Sequence, residues 1–349
     1  MNDGDAIYPL TTADQVIKAD GSKLEQDGKI AVDSATKADN AEKLAGKAAE
    51  YYIQPRNLLD NSDFTNPVTQ RGKRTVSTRY DYPIDRWMFD KSSESLSNAK
   101  STFSTSYHYL VLKNEDTTSG TWAALYHKVP SESLEVGKYT LVLKEHYNTS
   151  YINDVSVYII TDEDTVVLPS NIYSPDEDRN VVIQFTLTAK PKTYLLIAIY
   201  ALPGITVGFD WAALYKGAYT AETLPPYMPK GYAAELSECR RYFYSTMDAS
   251  EYAFQSLGIV RESGKGEIAI RFPVEMRIAP TMQTAGYFMT LPGFVGIGKD
   301  KITVDVIWKN AATLYVEDSS FTTIGDGFLL VGNVASKGQY SRIEFSADL

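Results

Sequence analysis

Between residues 107 and 216 the chain alternates apolar and polar side chains at every second position, and that period leaves few folds open. Leu141 with Leu143, Val155 with Val157 and Ile159, and Ile183 with Phe185 and Leu187 each place their apolar side chains on one side of an extended backbone. A period of two marks a strand buried on one face, because successive side chains point to opposite sides. The runs are 107–113, 121–129, 138–147, 154–161, 180–188, 193–202 and 206–216. Turn signals at Ser119-Gly120, Val136-Gly137, Pro175-Asp176 and Pro203-Gly204 separate them. About eight short strands without helical periodicity predict a β-sandwich of jelly-roll type.

The rest of the chain divides around this block. Pro225, Pro226 and Pro229 stop any strand ladder and stiffen the exit. Residues 231–244 then show helical spacing, with Leu236, Cys239 or Arg240, and Phe243 on one side, which predicts a short linking helix over 231–248 that packs against the next domain. Residues 249–349 are again β-rich and predict a second, sandwich-like head, with runs at 266–274, 282–288, 301–308, 313–316, 327–331 and 340–345. Residues 1–55 hold no Trp, Phe or Cys, and their sparse, small apolar side chains cannot fill a core within one chain. A loose tail, or a thin extended or helical stalk packed against identical copies, satisfies that composition. The predicted organisation is therefore mainly β: a stalk over 1–55, a sandwich over 56–230, a linking helix and a head.

Four blocks, in order, resemble bacteriophage tail-fibre and receptor-binding proteins that carry a carbohydrate-binding-module-like domain. Asn40-Ala41-Glu42-Lys43-Leu44-Ala45-Gly46-Lys47 is similar to the short repeats of tail-fibre stalks, and occurs clearly once. Asn57-Leu58-Leu59-Asp60-Asn61-Ser62-Asp63-Phe64, followed by Asp85-Arg86-Trp87, resembles the opening of the module, in which the Trp is buried. Phe64 and Trp87 are large core anchors on physical grounds as well, and Asp60 to Asp63 form an Asx-rich turn. Cys239-Arg240-Arg241-Tyr242-Phe243 and Phe272-Pro273-Val274-Glu275-Met276-Arg277-Ile278-Ala279-Pro280-Thr281 resemble a helix and a following signature in the same proteins, and the ending Ile343 to Leu349 is similar too. The resemblance spans nearly the whole length. It implies a non-catalytic adhesin that recognises a bacterial cell-surface polysaccharide as a homotrimer, joined to other tail or baseplate proteins through its N-terminus. It also implies a place in the virion tail after assembly in the host cytoplasm.

Composition narrows the partners independently. A net charge of −10 shows no basic face for phosphates, so nucleic acid is excluded as a partner. No apolar run reaches the ~18 residues of a membrane helix, and Met1 is followed by polar, acidic residues rather than a signal peptide. The single cysteine, Cys239, cannot close an internal disulfide and reads as a small core residue of the helix. The three histidines, His108, His127 and His146, lie in separate predicted strands with no nucleophile motif beside them. Gly293 to Lys299 spells most of a phosphate-binding loop, but Asp300 stands where a Ser or Thr would hold Mg²⁺, so the stretch reads as a glycine-rich β turn. Asp162 to Asp164 and Asp176 to Asp178 read as solvated hairpin tips.

Sugar recognition asks for aromatic platforms flanked by amide or hydroxyl groups. With 25 Tyr against 13 Phe and 4 Trp, the chain is rich in such side chains. Trp122, Tyr126, His146, Tyr147 and Tyr151 are the candidates for contact with a glycan, against the alternative that Trp122 and Tyr126 fill core. In the head, Tyr287, Phe288, Phe294 and Tyr315 lie in or near loops. Related sugar-binding sandwiches hold a structural calcium where first and last strands meet, which makes Asp60, Asp63 and Asp210 its candidate ligands here; no other cofactor is expected. Two functional alternatives stay open at this stage: a surface-polysaccharide hydrolase or deacetylase, and a purely structural baseplate or tail connector.

Overall fold

The computed structural model describes residues 43–44, 47–48, 55–146, 155–161, 166–167, 169–173, 179–246, 254–293, 295–333 and 341–348. It divides into Met1–Pro55 and Arg56–Leu349. In the first unit the strands Lys43–Leu44 and Lys47–Ala48 pair antiparallel; the rest of the expected stalk lies outside the described residues. The second unit is mainly β and antiparallel throughout.

Two sheets share the larger core. A six-stranded sheet runs in the order Val166–Val167, Val155–Thr161, Tyr194–Ala201, Ala123–Pro130, Trp87–Lys91, Asp81–Ile84. A seven-stranded sheet runs in the order Pro169–Tyr173, Asn180–Leu187, Gly137–Glu145, Thr206–Lys216, Tyr109–Asn114, Ala99–Ser104, Thr75–Val76. The alternating residues behave as their period requires: Leu141, Leu143, Ile159, Ile183, Phe185 and Leu187 are all buried in one cluster. Trp87 and Phe64 meet edge to face at 5.0 Å in that cluster, both essentially inaccessible. The indole Nε1 of Trp87 donates to Asn61 O at 3.0 Å, so its one polar atom is satisfied in an apolar setting.

The opening motif is a clasp. Asn57 Oδ1 accepts from Leu59 N (3.0 Å) and Leu214 N (2.9 Å), while its Nδ2 donates to Ser62 Oγ (2.8 Å) and Ala212 O (3.2 Å). One amide thereby ties the start of the sandwich to its last long strand. Asn61, in the left-handed region with φ 52°, accepts from Val68 N and donates to the carbonyls of Val68 and Asp85. Asn is among the few residues that tolerate that backbone, and its amide supplies the two donor hydrogens and the acceptor that these bonds use.

Past the last sandwich strand the chain folds back over it. Tyr227 stacks on Trp211 at 4.2 Å, and Leu224 and Tyr219 pack with Val142, Ala213 and Tyr215 on the outer side of the seven-stranded sheet. The helix Tyr232–Arg240 comes next. Its buried positions are Glu235 and Cys239: Cys239 lies on the side that the apolar spacing marks, Leu236 is only partly covered, and Glu235 is a position that spacing does not mark. Glu235 accepts from Asn61 N at 2.6 Å, which ties the helix to the sandwich's own opening loop, while at the helix end Arg241 O accepts from Arg277 N of the head. Lys230 bridges Asp60 (3.2 Å) and Glu238 (2.6 Å) beside it, and the Arg86 guanidinium lies 3.4 Å over the Tyr242 ring.

The head has its own core around Phe288, Leu314, Phe328, Ile343 and Phe345. The expected strand at 282–288 is two strands, Thr281–Ala285 and Tyr287–Leu291, belonging to different sheets. Gly286, at φ 81°, breaks the run between them. A strand with no strict alternation, Phe254–Glu262, sits at the centre of the seven-stranded head sheet. Gly258 and Gly266 flank Phe328 there so closely that a Cβ at either position would fall within 2.5 Å of its ring. Strands Tyr287–Leu291 and Val295–Gly298 pair as a hairpin, which accounts for the glycine-rich stretch around Gly293.

Sandwich and head meet at Arg71. Its guanidinium bonds Asp348 at 2.5 Å, lies 3.7 Å from Asp85 and is held between the rings of Tyr82 and Phe243 at 3.9 and 3.8 Å. Burial pushes the Asp85 carboxyl up to about 6, against the pull of Arg71 and the bonds from Gln70.

Candidate functional site

The outer face of the six-stranded sheet carries a cluster of aromatic side chains. Inward positions of its central strands are Leu125, Val129, Ile197 and Ile199, so Tyr126 and Tyr200 must point outward. Register places Ala198 opposite Tyr126 and Ala124 opposite Tyr200, so each large ring lies diagonal to the other across two small residues. Their phenols meet at 3.0 Å. The next strand adds Tyr158 beside Ala198 and Ser156 beside Tyr200. Trp122, just before its strand, packs edge to face on Tyr200 at 5.1 Å, and Tyr158 does so at 5.3 Å.

Between these rings lies a groove of about 450 Å³, lined by Gly120, Thr121, Trp122, Ser156, Tyr158, Ile160, Tyr200, Leu202 and Pro203. Tyr158 is 44% exposed and offers an open ring face. Burial, then the bond to Tyr200, raises the Tyr126 phenol well above its ordinary value, so it stays a neutral donor. Asp90 lies on the same face, but Arg79 covers it at 2.5 Å. Lys128 lies over the Tyr194 ring at 4.6 Å.

Of the glycan candidates named from the sequence, Trp122 and Tyr126 come together here. His146 does not join them: it lies just past the end of a strand of the other sheet, stacks on Tyr109 at 3.9 Å, and holds Asp210 through Nδ1 at 2.5 Å. Tyr147 and Tyr151 lie outside the described residues, as do Asp162 to Asp164, Asp176 to Asp178 and Phe294. Tyr158 and Tyr200 are not among the candidates that the sequence singles out. Their signal was present, since Val157 and Ile159 inward imply Tyr158 outward, but nothing local says that two strands 40 residues apart become neighbours.

The calcium candidates meet as backbone and part as side chains. Asp63 bridges Trp211, and Phe64 N donates to Asp210 O at 3.0 Å, so first and last strands do come together. Asp60, however, faces Lys230 and Arg86, and its carboxyl is held well below the usual range by Glu238 and those cations despite its burial. Asp63 turns back to Thr65 N and Oγ1, and Asp210 goes to His146. As placed, the three do not form one ligand shell, and among the described residues no group of three His, Cys, Asp or Glu side chains is arranged to hold a metal.

His127 is fully buried against Trp87 at 4.9 Å, and burial pushes it down to about 3, so it is a neutral core residue. His108 sits in an exposed turn with φ 55°. Burial drives the Cys239 thiol far up, away from thiolate chemistry. In the head, Phe288 is core, Tyr287 is exposed, and Tyr315 lies under Lys265 at 3.7 Å. Among the described residues, no helix is long and apolar enough to cross a membrane.

No family model matches the chain, and no curated protein matches it. Among solved structures it is similar to a mutant of Bacillus subtilis oxalate decarboxylase OxdC at 9% identity, over 95% of this chain and 87% of that one, with a TM-score of 0.14. The same enzyme at pH 4.6 aligns at 9% identity over 95% and 86%, with a TM-score of 0.13. Overlap at that level identifies neither fold nor activity.

Proposed function

We propose that this chain is a non-catalytic receptor-binding protein of a phage tail, which recognises a bacterial surface glycan through the outer face of its jelly-roll sandwich. The observation that carries the reading is the open groove lined by Trp122, Tyr158 and Tyr200, with Tyr126 bonded to Tyr200 beside it. Aromatic faces next to hydroxyl donors suit the C–H faces and hydroxyls of sugars. The order of four sequence blocks similar to tail proteins supports the same reading.

Self-association into a homotrimer belongs to this proposal. On the central head strand Phe254, Leu257 and Ile259 are 60%, 66% and 39% exposed, an apolar surface that a second and third copy of the chain would cover. Several weak sites on one particle then act together, so each groove can be shallow. The N-terminal segment would join the trimer to the tail or baseplate, which places the protein in the virion.

The test is binding of the fluorescently labelled full chain to a panel of bacterial strains, alongside light scattering. A trimer that decorates some strains, and loses them with Trp122→Ala plus Tyr158→Ala, is the expected result. A stable monomer sinks the homotrimer; decoration unaffected by the double variant sinks the groove as the site.

A further inference from the structure

We propose that the groove beside Trp122 and Tyr158 takes an uncharged oligosaccharide bearing methyl groups, of the 6-deoxy or N-acetyl kind. This rests on the glycan reading above and narrows it to a chemical class.

Charge is the first argument. Among the described residues, no Asp, Glu, Lys or Arg lines the groove. Seating a carboxylate or phosphate there would strip its water without supplying a cation, a cost neutral hydroxyls do not recover. Recognition of acidic groups ordinarily uses an Arg fork or a Lys ammonium. Two charges on this face are engaged, Asp90 by Arg79 and Lys128 over Tyr194.

Shape and polarity supply the second. Along the paired strands Ile160 lies towards one end of the groove and Leu202 and Pro203 towards the other. Ile160 to Ser156 alone spans about 13 Å at ~3.4 Å per strand residue, long enough for more than one sugar ring. Thr121 supplies one hydroxyl on the Leu202 side, but a sugar hydroxyl seated against Ile160, Leu202 or Pro203 themselves meets no side-chain partner and would be buried unpaired. A methyl in its place is favourable. In the middle, Ser156 and the Tyr158 and Tyr200 phenols are neutral groups suited to ring hydroxyls.

Calorimetric titration of the full chain tests this with four oligosaccharides of equal length: a 6-deoxyhexose, its parent hexose, an N-acetylhexosamine and a hexuronate. The expected order is methyl-bearing sugars first, the parent hexose weaker by about fourfold per methyl seated, and the uronate weaker by about tenfold or more. Raising the salt concentration should leave the neutral affinities unchanged. Tyr158→Ala, at an exposed position that leaves the core intact, should abolish binding of all four. A uronate that binds as tightly as the neutral sugars, and is lost with Tyr158→Ala, overturns the proposal while leaving the glycan reading in place. Binding of none of the four by the wild-type chain overturns both.

Discussion

Asn57→Ala should destabilise the sandwich more than its single surface-lying loop would indicate. The side chain is buried, at 8% exposure, and makes four hydrogen bonds across 155 or more residues of sequence or within the loop. Truncation leaves Leu59 N and Leu214 N without an acceptor and Ala212 O without one of its donors. Each orphaned buried group costs about 1–3 kcal/mol, so the two amide donors alone set a loss of about 4 kcal/mol. Water entering the space would reduce that figure, and the lost donors to Ser62 and Ala212 would add to it. For a domain of this size the loss corresponds to a fall in Tm of about 10 °C. Urea unfolding followed by tryptophan fluorescence reads it, since Trp87 is bonded to the adjoining Asn61. Asn57→Asp separates the acceptor role from the donor role. Its carboxylate still accepts from Leu59 N and Leu214 N but faces Ala212 O without a proton. Such a buried, repelled carboxylate has its folded pKa raised, so the folded state takes up the extra proton and the variant recovers towards wild type as pH falls. An Asn57→Ala protein within about 1 kcal/mol of wild type, at an unchanged m-value, refutes the clasp.

Arg71→Ala should uncouple sandwich from head, because it leaves buried Asp85 and partly buried Asp348 without their shared cation; removing one partner of a buried pair costs about 3–5 kcal/mol, and calorimetry should then resolve two transitions where the wild type shows one. Glu235 is pushed up to about 7, mainly by burial, from an ordinary value of 4.5. Its folded form therefore binds the extra proton, and its contribution to stability declines as pH rises from about 4.5 to about 7. Glu235→Gln, which keeps an acceptor for Asn61 N, should flatten that decline and be the more stable protein above pH 7; an unchanged slope would count against the assignment. Gly266→Ala brings a methyl within 2.4 Å of the Phe328 ring, so head unfolding should shift down by about 1–3 kcal/mol, with part of the loss restored by Phe328→Leu. Limited proteolysis of the full chain, scored at sites in the head, checks it.

Much of the sandwich was legible because its evidence is local. Strand positions follow from a period of two and turn dipeptides, and seven of the expected runs coincide with strands to within two residues. Core anchors Phe64 and Trp87 could be named from size alone. The helix was legible only in part: Cys239 is buried on the side its spacing marks, but the other buried position is a glutamate whose partner, the Asn61 amide, is 174 residues away. An apolar-spacing argument has no means of finding such a position. The break at Gly286 was equally invisible, since a glycine within an apolar run reads the same whether the strand bends or ends.

The amino-acid sequence by itself determined that this protein is mainly β, which side chains of its clearest strands face inward, and that a stiff proline exit separates two β-rich regions. Those properties depend on backbone preference and on neighbours one to four residues apart. Only the tertiary structure decided which outward faces become neighbours. Strand order set Tyr158, Tyr200 and Trp122 around one groove with Tyr126 bonded to Tyr200 beside it, moved His146 to the other sheet, and gave Asp60, Asp63 and Asp210 three separate partners. Side-chain chemistry was readable from the start; its convergence was not, because pairing between strands far apart in sequence is set by the whole core and not by any segment of it.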